Sequence, residues 1–184
     1  MAVMQVFFKS ILSKQNRIFV LSTLSFLTVI LALVGPAIFN SETIGDGVDL
    51  YGTIWFYEWI HDCIISLKNP SFTDLFFYPY GKDIFSHTGN NFVDALLFFP
   101  FKIVIGDIYS YPLFIAFVLG LNLLSIRVLL KHLLKSQYVI WGASLLWLVC
   151  PFILFEIIAG RPTQACIFWA PLAIWTALKL NDES

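Results

Sequence analysis

Charge is what this sequence has least of. Only 12% of its 184 residues are Asp, Glu, Lys or Arg, against 59% hydrophobic residues and a mean hydropathy of +0.81. That composition is too apolar for an ordinary soluble domain. The 11 basic and 12 acidic side chains nearly cancel, and no basic patch interleaved with aromatics marks a nucleic-acid surface, so nucleic acid is excluded as a partner. Cysteine is scarce too. Cys63, Cys150 and Cys166 have no paired or metal-like spacing, and the last two lie in apolar runs where a thiol behaves as a small hydrophobe. There is no metal-ligand cluster, glycine-rich phosphate loop or nucleophile motif of recognised spacing. No cofactor is therefore expected, and a divalent metal is not indicated. Internal repeats and low-complexity tracts are also missing.

What is present is a series of long uncharged runs, which predicts an all-α membrane protein with about four transmembrane helices. Residues 1–17 carry Lys9, Lys14 and Arg17 with no acid and read as a basic cytoplasmic segment on the membrane surface. Residues 18–39 are uncharged, too long for the apolar core of a signal peptide, and form the first expected span. Between Asn40 and Asp107 nine acids face three lysines, so this stretch is expected to be an outer loop. The second span is expected over 108–130, ending in the basic group Arg127, Lys131, His132 and Lys135 on the cytoplasmic side. A third follows over 138–157 and a fourth, Pro-broken, over 165–180, which returns both termini to the cytoplasm. Residues 92–105 are apolar, but they number only 14 and carry Asp94, Pro100 and Lys102. They read as an interfacial or re-entrant segment.

Within the outer loop, Leu50, Ile54, Tyr57, Ile60, Ile64 and Leu67 recur at helical spacing and predict an amphipathic surface helix over 49–67, lying flat on the outer leaflet with Trp55 and Trp59 at headgroup depth. His61 and Asp62, adjacent on that helix, are expected to point apart. Asp46 and Asp49 sit where the chain leaves the first span. An Asp beside Gly is ordinarily a turn or N-cap residue; a carboxylate there is also positioned for proton transfer. Phe76 to Tyr80 supply aromatic surface, and His87 lies in a Ser-His-Thr-Gly loop where exposure to solvent is its ordinary state.

The order of these features resembles something specific. Asp46-Gly-Val-Asp49 followed by Trp55 and Trp59, then Phe77-Tyr78-Pro79-Tyr80-Gly81, and later Gly160-Arg161-Pro162-Thr163-Gln164 before Trp169-Ala-Pro171-Leu172, resembles the N-terminal part of bacterial multi-pass glycosyltransferases of the GT-C fold, of the polyprenyl-phosphate-mannose-dependent kind. The resemblance implies transfer of a sugar from a polyprenyl-phosphate donor to an acceptor on the outer face of the bacterial inner membrane. It implies Asp49 or Asp46 as general base. By physical chemistry the Arg161 guanidinium suits the donor phosphate, with headgroup anchoring or pairing with Glu156 as its ordinary alternatives, and Trp55, Tyr80 and His87 are the candidate contacts for sugar or acceptor. Members of the family have many more spans, so this chain is expected to be an N-terminal portion that needs a C-terminal continuation or a partner membrane subunit. The alternative is a non-catalytic multi-pass subunit that docks through the outer loop.

Overall fold

The computed structural model describes residues 14–87 and 91–182, without the side chains of residues 14–17, 19, 86 and 87. Most of residues 1–17 therefore lies outside the described residues. The chain is helical almost throughout. Helix α1 (Lys14–Asn40) leads to α2 (Val48–Ile65), and a two-residue antiparallel pair, β1 (Phe72–Thr73) with β2 (Lys82–Asp83), closes a loop ahead of the short α3 (Ile84–His87). Then come α4 (Phe92–Ile105), α5 (Asp107–Leu133), α6 (Gln137–Leu148), α7 (Pro151–Ile158), α8 (Pro162–Ala165) and α9 (Trp169–Asp182).

Three stretches are long and apolar enough to cross a membrane: Val20–Asn40, Asp107–Leu133 and Gln137–Ile158. They make this an all-α membrane protein. The third is interrupted at Val149-Cys150, ahead of Pro151, which has no amide to continue the α6 ladder. The fourth expected span falls on α8, a break at Cys166–Phe168, and α9. Helix α9 has 14 residues, about 21 Å at 1.5 Å per residue, which is short of a hydrocarbon core of about 30 Å.

The chain divides into two compact units. One contains residues 14–36, 119–150 and 166–182. Its interior is mainly apolar, with Phe26, Val34, Leu123, Ile140 and Leu148 buried beside Asn122, Ser125 and Ser144, and these two serines each bond within their own helix. Ser144 donates to the Ile140 carbonyl at 2.6 Å and Ser125 to that of Asn122 at 2.9 Å, which lets serine sit in an apolar helix at little cost. Arg127 lies over the Phe26 ring at 5.3 Å, and His132 pairs with Asp182 at 3.1 Å.

The other unit contains residues 37–118 and 151–165. Here α2 packs against α4. The Tyr57 ring stacks on Phe98 at 4.9 Å and meets Phe114 edge-on at 5.8 Å, an arrangement that aromatic quadrupoles favour. Lys102 on α4 ties Glu58 of α2 to Asp107 of α5, each at 2.5 Å. Burial opposes the lysine's charge, but its bonds to Asp107 and Glu58 outweigh this and hold its pKa above the usual value.

The face of α2 differs from the expected one. Its buried residues are Leu50, Thr53, Tyr57, Ile60 and Cys63, while Leu67 is 93% exposed. The stripe runs through Thr53 and Cys63 instead of Ile54 and Ile64: α4 packs on this helix, with Asp94 accepting from Tyr57, and Thr53 is bonded to the Gly160 carbonyl. Protein, not a lipid leaflet, covers the stripe. His61 Nδ1 and Asp62 Oδ1 are 3.2 Å apart, contrary to expectation: consecutive side chains diverge by about 100° around a helix, yet both are long enough to fold toward each other.

Candidate functional site

The capping role expected of Asp46 and Asp49 is filled by neither. Gly47 is the N-cap of α2, without a side-chain capping bond. Asp49 sits in the first turn, where the helix dipole favours a carboxylate.

What brings Asp49 to its partners is a close backbone approach. A Cβ on Gly47 would lie 2.4 Å from the Ala159 carbonyl oxygen, and one on Gly160 would lie 2.4 Å from the Leu50 Cα. Gly160 also has φ +76°, which suits glycine. With no side chains between them, residues 46–53 run against residues 158–160. The Asp46 amide donates to the Ile158 carbonyl at 3.1 Å, and the Thr53 hydroxyl donates to the Gly160 carbonyl at 2.7 Å. Asp49, one turn before Thr53 on the same side of α2, then faces the residue after Gly160, which is Arg161.

Arg161 is held by α7. Its amide donates to the Glu156 carbonyl at 2.8 Å, its Nε lies 2.8 Å from Glu156 Oε2, and its guanidinium lies over the Phe155 ring at 5.4 Å. Glu156 is 5% exposed, and its Oε2 meets Arg161 as an ion pair without a hydrogen bond. Asp49 Oδ2 stands 3.8 Å from the same Nε, near enough for Coulomb attraction but beyond hydrogen-bonding reach.

These residues line an open cleft of about 350 Å³ whose walls include Asp49, Thr53, Asn91, Arg161, Thr163 and Gln164. Asp46 is exposed and is not among the lining residues. Behind the wall lies Asp94, 4% exposed. Its Oδ2 accepts hydrogen bonds from the Tyr57 hydroxyl at 2.6 Å and from Thr163 Oγ1 at 2.5 Å. Burial lifts its pKa above the usual carboxylate range, and the bonds from Thr163 and Tyr57 offset that only in part. Nothing in the sequence around Asp94 points to this network. Its signal is a tyrosine and a threonine that only the fold brings near.

The remaining expected contacts lie elsewhere. The Trp55 indole stacks on Trp59 at 5.8 Å and meets Phe76 at 4.8 Å, so its ring is already engaged by protein. Trp59 Nε1 donates to the Pro70 carbonyl at 3.0 Å. Tyr80 is 87% exposed, and neither it nor Trp55 lines the cleft. The His87 side chain lies outside the described residues. Among the described residues no group of three or more His, Cys, Asp or Glu could hold a metal ion.

No protein-family model, curated protein or solved structure matches this chain.

Proposed function

We propose that the chain is the N-terminal portion of an integral-membrane glycosyltransferase that takes its sugar from a polyprenyl phosphate at the outer face of a bacterial inner membrane. The observation that supports this reading is the meeting of Asp49 and Arg161, far apart in sequence, in one open cleft beside Thr163, Gln164 and Asn91. A guanidinium is suited to phosphate oxygens, and a carboxylate next to it is suited to accepting a proton.

In this reading Glu156 orients Arg161 through Nε, and the donor phosphate replaces the loosely held Asp49 as its second partner. The freed Asp49 carboxylate takes the proton of an acceptor hydroxyl as that oxygen bonds to the anomeric carbon. The bond from the anomeric carbon to the phosphate oxygen breaks, and polyprenyl phosphate leaves. Both termini in the cytoplasm require an even number of crossings, so residues 165–180 cross as well, beside a helix of a continuation or partner subunit that compensates for their short length.

The test is photolabelling of the full chain in lipid nanodiscs with a polyprenyl phosphate bearing a photoreactive group next to the phosphate. Label is expected on residues 161–164 and on the first turn of α2, with loss of label in Arg161→Gln. In the complete enzyme Asp49→Asn is expected to keep the label and lose transfer by about 10²–10⁴-fold. Label spread evenly over the apolar helices, unchanged by Arg161→Gln, would sink the proposal. The second reading, a docking subunit, is favoured by the exposed Phe77, Tyr78 and Tyr80.

A further inference from the structure

The turn that carries Arg161 is fastened at two points by two different helices. At one end the Gly160 carbonyl accepts from Thr53 of α2. At the other, the Thr163 hydroxyl donates to Asp94 of α4. The two helices are joined by the bond from Tyr57 to the same Asp94 oxygen. Pro162 restricts φ within the turn, and the Gln164 amide donates back to the Arg161 carbonyl at 3.1 Å. Arg161 thus stands in a short, closed frame whose outer corner is the Thr163–Asp94 bond. Asp94 does not line the cleft, so it acts only through Thr163.

We infer that Asp94 is a positioning residue for the cleft: by holding Thr163 it fixes the 160–164 turn and keeps the Arg161 guanidinium on Glu156 and facing Asp49. The bond from Thr163 transmits this, and the bond from Tyr57 does not, because Tyr57 stays seated by its stacking on Phe98. The functional importance of this frame rests on the reading of the cleft as an anion site, but the geometry can be tested without any ligand.

The test is proton exchange at the Arg161 Nε–H, read by NMR on the full chain labelled with ¹⁵N-arginine in micelles. The chain has three arginines, and Arg161→Lys identifies the signal. Thr163→Val and Asp94→Ala are each expected to speed this exchange by about tenfold or more, because the Nε, buried against Glu156 without a hydrogen bond of its own, is opened to water once the turn loosens. Tyr57→Phe and Thr163→Ser are expected to leave it within about twofold of the parent chain. If Asp94→Ala fails to fold, Thr163→Val carries the test, since it exchanges a hydroxyl for a methyl of the same shape. Unchanged exchange in Thr163→Val, or equal acceleration by Tyr57→Phe, would overturn the inference, the latter because it would mean general packing. The anion-site reading fails separately: polyprenyl monophosphate added to the parent chain would leave the Arg161 signal unmoved.

Discussion

Gly160→Ala separates the close-approach account from ordinary loop tolerance. At φ +76° an alanine is strained by about 1–2 kcal/mol. Its Cβ would sit 2.4 Å from the Leu50 Cα and 2.5 Å from the Leu50 nitrogen, where carbon atoms in contact prefer roughly 3.5–4 Å. Both neighbours are backbone, so the strands of chain must part by about 1 Å. That stretches the Thr53 to Gly160 bond, now 2.7 Å, beyond hydrogen-bonding range and adds about 1–3 kcal/mol for the orphaned buried groups. The total, about 3 kcal/mol, corresponds to about a 100-fold rise in local opening. Hydrogen exchange by mass spectrometry on the full chain in nanodiscs reads this at the amides of 159–165. Gly52→Ala is the control: a Cβ there meets nothing within 4 Å, the position is helical, and the change is expected to be neutral or stabilising by up to about 1 kcal/mol. If Gly160→Ala exchanges like the parent chain, or Gly52→Ala opens the segment as much, the close approach does not hold the site together.

Two further predictions concern charge and orientation. Because the folded pKa of Asp94 is raised above its unfolded value, the stability tied to its neutral form is complete below the ordinary carboxylate range and is lost as pH rises through the folded pKa. Thermal unfolding of the parent chain and Asp94→Asn between acidic and neutral pH is expected to show the parent losing ground to the variant with rising pH; the opposite slope would remove the buried-carboxyl account. Cys63 is 1% exposed, and burial, then the neighbouring Asp62, lift its thiol above the usual range. In intact cells a membrane-impermeant maleimide is therefore expected to label it slowly from outside and faster once mild denaturant loosens α2, while a reporter fused after Lys135 reads as cytoplasmic. A reporter active only on the outer side at Lys135 would reverse the proposed orientation.

The helices were legible because lipid-length apolar runs and 3.6-residue spacing are local signals: Leu50, Tyr57 and Ile60 announce α2 whatever covers it. What covers it was not legible. Thr53 and Cys63 look no more buried in sequence than Ile54 and Ile64, and what decides between them is distant in sequence: α4 and, for Thr53, the Gly160 carbonyl. Arg161 was conspicuous within the Gly160 to Gln164 stretch that carries the resemblance, and Asp49 as an acid where a span ends. Asp94 was overlooked as a site residue because, within Phe92 to Ile105, it read only as a charge that spoils a span. Its partners Tyr57 and Thr163 have no sequence relation to it. Gly47 and Gly160 carried no reading of their own in the sequence; their work is to let two backbones touch, which no spacing encodes.

The central claim is that the Arg161 cleft recognises a phosphate carried on a polyprenyl chain. The most direct measurement is equilibrium binding to the full chain in nanodiscs of a polyprenyl monophosphate and of the corresponding polyprenyl alcohol, which shares the hydrocarbon and lacks the phosphate. The account predicts that the phosphate binds more tightly than the alcohol and that Arg161→Gln abolishes the difference while leaving alcohol binding unchanged. Equal affinity for the two lipids, or a preference that survives Arg161→Gln, would contradict it.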